Sequence, residues 1–202
     1  MPRPKQLDPE RVLDAVEELL TEGGRSAVTV RALGERAGAS NGSIYHSFGS
    51  LDAVLGRAWQ RRAEEFLAVQ RAAVDAALSS GDPRRAVQAA ADTTAVLAER
   101  ELRAAQLLVH LQRDVVLTYA LPDDLREQLR GLDVALLDTL KVLARAVYGR
   151  AGAAAVDVVT TCVVHLPAAL LFPEVRTGRV RQLTRDQLAA AVAAVLACGL
   201  PD

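Results

Sequence analysis

The stretch TVRALGERAGASNGSIYHSF, residues 29–48, decides how the chain is read. Thr29 opens a first helix, and its hydroxyl can accept from the free amides of the first turn. Val30, Leu33 and Ala37 recur at helical spacing and face inward, and Gly38 stops the helix. Ser40 opens a second helix that runs to about Ser47, with Ile44 and Phe48 spaced i,i+4 as its inward pair. Two short helices broken by a glycine turn are the pattern of a helix-turn-helix, whose second helix enters a DNA groove. A helix this short is unstable alone. Ile44 and Phe48 must therefore anchor it, which leaves Asn41, Gly42, Ser43, Tyr45 and His46 on or near the exposed side.

That face is small at its N-terminal end and hydrogen-bonding throughout. Asn41 can pair with adenine, a contact worth roughly 1–3 kcal/mol of discrimination. Gly42 costs helix stability, on the order of 1 kcal/mol. It either permits close approach to base edges or merely occupies a first turn. Tyr45 and His46 are placed to reach phosphates, which fix register without reading sequence. Their alternatives are a half-buried core tyrosine and an ordinary exposed imidazole. Thr29 can cap and touch a phosphate at once, Ser40 stands at the recognition helix's N-terminus, and Arg31 and Arg25 are further candidates for backbone contacts.

Outward from this stretch, helix signals continue in both directions. Asp8-Pro9 starts a preceding helix with a cap and a first-turn proline. Val12, Val16, Leu19 and Leu20 form its stripe, and Gly23-Gly24 ends it. Ser50 caps a fourth helix with Leu51, Val54, Leu55, Ala58 and Trp59 on one face, continuing through Phe66 and Leu67 towards Leu78. Ser79-Ser80-Gly81 is a joint, and Asp82-Pro83 repeats the cap-plus-proline start of a helix to about Glu99. A helix from Glu101 to about Gln112 follows. After Leu121-Pro122 comes a long helix to Gly149. Its Leu125, Leu129, Leu132, Leu136, Leu140, Leu143 and Val147 make a core- or partner-facing seam. A very apolar helix spans 152–171, with Pro167 expected to kink it and free carbonyls near His165. A polar loop covers 174–183. Thr184 with Gln187 reads as a capping box for the last helix, 184–198. The fold class is all-α: an N-terminal three-helix reader over residues 1–50, a connecting helix over about 50–79, and a larger helical bundle completing residues 51–202.

Residues 8–59 resemble the DNA-binding domain of the TetR family of bacterial transcriptional regulators. The resemblance is carried by Thr29-Val30-Arg31-Ala32-Leu33, by the turn Ala37-Gly38-Ala39-Ser40, by Gly42-Ser43-Ile44-Tyr45-His46-Ser47-Phe48, and by Ser50-Leu51-Asp52-Ala53-Val54-Leu55. One departure stands out. Family members commonly carry a phosphate-contacting lysine just after the serine that starts helix 4, and here that residue is Leu51. One positioning contact is then missing, or is replaced by Arg57 or by the N-terminal arm with Arg3 and Lys5, which otherwise reads as a disordered tail. Weaker or less salt-sensitive binding is expected.

The resemblance further implies a homodimer joined through helices 152–171 and 184–198, a roughly palindromic double-stranded operator, and repression as the usual mode. It also implies a small-molecule effector pocket in the helical body. Candidate lining residues are Phe66, Gln106, His110, Arg113, Tyr119, Thr161 and His165. The two histidines have the alternative of satisfied core or interface residues. An apolar lining suggests an apolar or amphipathic effector. The helix 152–171 is apolar nearly all round, as expected of one covered on both sides. A monomer burying it in its own core is the alternative.

Composition bounds these readings. The chain has 202 residues, 50% apolar and only 3% aromatic, with a net charge of −1. In residues 1–62 nine Arg/Lys stand against eight Asp/Glu, so DNA binding must come from placed contacts rather than a general positive field. Cys162 and Cys198 sit in apolar helical patterns and read as buried small residues, with a redox switch as the alternative. No signal peptide is expected from MPRPKQLDPE. The apolar run near 154–172 carries Asp157, Thr160, Thr161, His165 and Pro167, which favours a buried helix over a membrane span, so a cytoplasmic protein is expected. HExxH, P-loop and GxGxxG patterns are absent, and the one GxSxG spelling, Gly38-Ala39-Ser40-Asn41-Gly42, is the turn between two helices rather than a strand-to-helix elbow, so no enzyme, cofactor or metal site is expected. The rival reading is a helical ligand-binding or interaction protein that has weakened or lost DNA binding.

Overall fold

The computed structural model describes residues 7–200, so the arm carrying Arg3 and Lys5 lies outside the described residues. In chain order the helices are α1 (Pro9–Ala27), α2 (Val30–Ala37), α3 (Asn41–Phe48), α4 (Leu51–Ser79), α5 (Pro83–Arg100), α6 (Leu102–His110), α7 (Arg113–Val116) and α8 (Asp123–Tyr148). There follow α9 (Ala153–Thr160), a π-helical turn (Thr161–His165), α10 (Leu166–Leu170), α11 (Phe172–Arg176) and α12 (Gln182–Ala197). No strand occurs among the described residues, and the all-α architecture stands. The chain divides into two compact units, Met1–Ala63 with Gln106–Arg130, and Glu64–Ala105 with Gly131–Asp202. The start of α8 and the segment before it fall in the first unit.

In the first unit the caps follow local chemistry. Asp8 Oδ1 accepts from the Glu10 amide (3.1 Å), Thr29 Oγ1 from Ala32 (3.1 Å), and Ser50 Oγ from Ala53 (3.0 Å). Gly24 breaks α1 at φ 67°, and one further turn leads to Ala27. Val12, Leu13, Val16 and Leu20 of α1, Leu33 of α2 and Ile44 of α3 are buried, as are Val54, Leu55 and Ala58 of α4. Val30 and Leu51 are half-buried. Glu17 is only 4% exposed, and both Arg61 and Arg62 of α4 donate to its carboxylate. Arg61 also reaches Glu10 and Asp14, so an ionic cluster ties α1 to α4. A buried carboxylate is tolerated only when paired in this way.

The second unit packs α5 against α12 and the π-helical turn around Val87, Ala90, Ala91, Leu143, Val159, Cys162, Leu188 and Val192. Of the α8 seam, Leu140 and Leu143 are buried here, while Leu136 and Val147 are half-buried. Residues 152–171 are not one α-helix. Pro167 has no N–H to give, and the π turn at Thr161–His165 just before it absorbs the irregularity. The start of α12 also differs from expectation. Thr184 does not cap it: its hydroxyl donates to Glu174 Oε1 (2.7 Å), and Glu174 Oε2 accepts the Arg181 amide (2.7 Å). A carboxylate brought by α11 thus replaces the local capping box. Backbone donation from Arg181, with Thr184 and the Arg181 guanidinium, holds the Glu174 carboxyl down at about 2. Cys162 is buried, and burial pushes its thiol up to about 11. Cys198 is exposed rather than buried, because it follows the last turn of α12 on its outer side.

Candidate nucleic-acid interface

The turn between α2 and α3 is built on two glycines. Gly38 sits at φ 68°, where only glycine is unstrained, and stops α2. Gly34 lies where the chain folds back: its carbonyl accepts the Ala39 amide (2.9 Å). A β-carbon on Gly34 would come within 2.7 Å of the Ala39 carbonyl oxygen and 3.1 Å of Asn41 Oδ1. The recognition helix then starts from a double serine lock. Ser40 Oγ accepts the Ser43 amide (3.0 Å), and Ser43 Oγ donates to the Ser40 carbonyl (2.7 Å). Both hydroxyls are thereby committed to the helix start. Ile44 and Phe48 are buried, 1% and 8% exposed, and seat the helix in the core.

The opposite face is open. Asn41, Gly42, Tyr45 and His46 are exposed, Tyr45 at 52%. The exposure of Tyr45 removes its reading as a core tyrosine. Asn41 turns its Oδ1 back over Gly34. Gly42 has no internal reason to be glycine, since a β-carbon there meets nothing nearer than Ser40 Oγ at 3.9 Å.

The charges of this unit are largely spent inside it. Arg31 pairs with Glu35 one turn on (2.9 Å), and Arg36 with Glu18 (2.6 Å) and Glu22 (2.7 Å). Arg57 pairs with Asp124 (2.8 Å), which holds the Asp124 carboxyl below the usual carboxylate range. Arg25 donates to the Val28 carbonyl (3.2 Å) and lies over the Tyr119 ring. The arginines proposed from sequence as backbone contacts, Arg25, Arg31 and Arg57, thus all have intramolecular partners.

The seven effector-site candidates are divided between the units. Gln106, His110, Arg113 and Tyr119 belong to the first, Phe66, Thr161 and His165 to the second. Gln106 Oε1 accepts from Thr21 of α1 (3.3 Å), and Tyr119 carries the Arg25 guanidinium. His110, Arg113 and His165 are exposed, and the Thr161 hydroxyl donates to the Asp157 carbonyl (3.1 Å). Polar residues in apolar helices also serve to tie helices together, as Gln106 does with Thr21. One residue of this kind escaped the sequence reading. Gln70 of α4 is 1% exposed and donates to the Ala90 carbonyl (3.2 Å), while its Oε1 has no protein partner. Its place in an alanine- and valine-rich stretch is the one sequence signal that marks it.

Comparison with known proteins bears on the same residues. Residues 12–58 match the family model for bacterial regulatory proteins, tetR family. No curated protein matches the chain by sequence. Among solved structures, a transcriptional regulator from Rhodococcus sp. Rha1 superposes with a TM-score of 0.68 at 20% identity, covering 96% of this chain and 97% of that one. The TetR-family regulator PfmR of Thermus thermophilus superposes at 0.60 and 19% identity, covering 93% and 97%. FadR of Bacillus subtilis, solved in complex with stearoyl-CoA, superposes at 0.59 and 16% identity, covering 94% and 96%. These likenesses extend the family's fold over nearly the whole chain. Residues 12–58 thus carry the region shared by bacterial regulatory proteins of the tetR family, and nearly the whole chain has the fold of solved transcriptional regulators.

Proposed function

We propose that this chain is a DNA-binding regulator, a cytoplasmic repressor that holds a roughly palindromic operator as a homodimer and is released by a small molecule. The observation that carries the DNA reading is the α3 face: Asn41, Gly42, Tyr45 and His46 stand exposed around a glycine that packing does not require. Thr29, Arg31, Ser40 and Ser43 flank them at the helix starts. Close approach of the helix to base edges accounts for Gly42.

Support for the dimer comes from Ala153–Leu170. This segment has a mean hydropathy of 1.7, yet only 28% of it is buried within one chain. By length and composition it could cross a membrane. Asp157 and His165 on its exposed side favour a second protein surface instead, and a second copy supplies one along α9, α10 and α12. Support for an amphipathic effector comes from the apolar interior around Gln70, whose Oε1 accepts from no protein group and so suits a ligand that brings a donor. The fold's likeness to a FadR that holds stearoyl-CoA points the same way.

The internal pairing of the reader's arginines favours one second reading, a helical effector-binding protein that has lost DNA binding. Selection from a random-sequence duplex pool separates the two. The regulator enriches a palindrome bound by a dimer, and stearoyl-CoA serves as the first amphipathic probe for release. Failure to enrich any sequence leaves the second reading standing.

A further inference from the structure

The missing lysine at position 51 leaves Arg57 as the nearest cation on α4 to stand in as a phosphate contact. Its surroundings assign it elsewhere. Three residues on one side of the α4 start grip a single short segment of the same unit. Asp52 Oδ2 accepts the Ala120 amide (3.0 Å). Gly56 lets the helix lie against Leu121 and Leu125, whose methyls would be 2.8 and 2.9 Å from a β-carbon there. The Arg57 guanidinium donates to Asp124 Oδ2 at 2.8 Å. Leu121 and Leu125 are buried, so the segment gripped is itself fixed in the core. Gly49 and Ser50 alone separate α4 from the recognition helix. Gly49 donates its amide to the Tyr45 carbonyl (2.8 Å), and Phe48 is buried. Whatever sets the start of α4 therefore sets α3.

We propose that Arg57 is a positioning residue: paired with Asp124, it fixes the start of α4 and with it the recognition helix, and it does not meet a DNA phosphate. The inference rests on the DNA-binding reading above. An arginine already held by a carboxylate must give up that pair before it can neutralise a phosphate, and counterion release then counts only the difference. As a clasp it needs no such exchange. Its contribution is that of an exposed ion pair, modest in stability, but it acts on an orientation that every base contact depends on.

The test uses the full-length protein and the duplex that wild type selects from a random-sequence pool, with binding measured across a salt series. R57A and D124N are each expected to weaken binding about three- to fivefold, the scale of one exposed ion pair, with the salt slope unchanged. The reversed pair R57D/D124R is expected to return to within about twofold of wild type by the same pair energy. A phosphate contact behaves otherwise. R57A then lowers the slope by about 0.9, D124N binds as well as or better than wild type because it frees the arginine, and the reversed pair is not rescued. That pattern overturns the proposal. Where R57A fails to fold, as judged by circular dichroism, D124N and the reversed pair decide alone. Wild type that selects no duplex sinks the DNA-binding reading itself, an outcome distinct from the D124N result.

Discussion

Gly34 of α2 and Asn41 of α3 meet across the turn so closely that a β-carbon on the glycine would lie 3.1 Å from Asn41 Oδ1. The Ala39 carbonyl oxygen would be nearer still, at 2.7 Å, and it is backbone that cannot swing away. Gly34→Ala should therefore displace the turn rather than a side chain. The expected loss is about 1–3 kcal/mol, typical of overpacking. It is read as a lower thermal midpoint, together with loss of sequence-selective DNA binding.

Gly42 makes the opposite case eight residues on. Nothing crowds it, and it sits in the first turn of α3. Gly42→Ala should raise stability by up to about 1 kcal/mol through helix propensity while lowering affinity for the selected duplex. A stabilised variant that binds as tightly as wild type would show that the recognition helix does not approach DNA at this point.

Leu51 is half-buried at the first position of α4, where the family commonly places lysine. Leu51→Lys should tighten binding to duplexes of any sequence and steepen the salt slope by about 0.9, one phosphate's worth. A salt titration with the slope unchanged places position 51 out of reach of the backbone.

Glu174 gives the second unit an acid-sensitive joint. Its carboxyl is held at about 2, below the ordinary range, by the Arg181 amide, Thr184 and the Arg181 guanidinium. A depressed carboxyl contributes stability that is complete above its unfolded value, about 4.3, and lost as pH falls through its folded value. Thermal melts of wild type and Glu174→Gln should differ most at pH 5–7 and converge as pH drops from about 4.3 towards 2. A gap that persists at low pH would falsify the assignment of that stability to the charge.

Local chemistry makes most of this fold legible. Asp8, Thr29, Ser40, Ser50 and Asp82 mark helix starts because each side chain finds its amide within three residues. The inward pair Ile44 and Phe48 follows from spacing alone. Reading fails where a distant group outcompetes a near one. Thr184 and Gln187 spell a capping box, but Glu174, ten residues earlier, takes the hydroxyl. Pro167 announces an irregularity without saying that a π turn will absorb it. Polarity at Gln106 and Tyr119 is visible in sequence, whereas their partners Thr21 and Arg25 on α1 are not.

The pairing of Arg31, Arg36, Arg57, Arg61 and Arg62 with carboxylates of their own unit bears on how a binding site is found. Long-range attraction to a duplex scales with uncompensated charge, and it speeds encounter and holds a protein on random sequence while it slides. A reader whose described cations are largely answered casts a weak field. Few copies should then be lost to bulk chromosomal DNA, and arrival is expected to be slow, nearer the unsteered range of about 10⁵–10⁶ M⁻¹s⁻¹. A regulator built this way would trade speed of search for a larger free pool, with diffusion and copy number rather than electrostatic capture setting its expected response time.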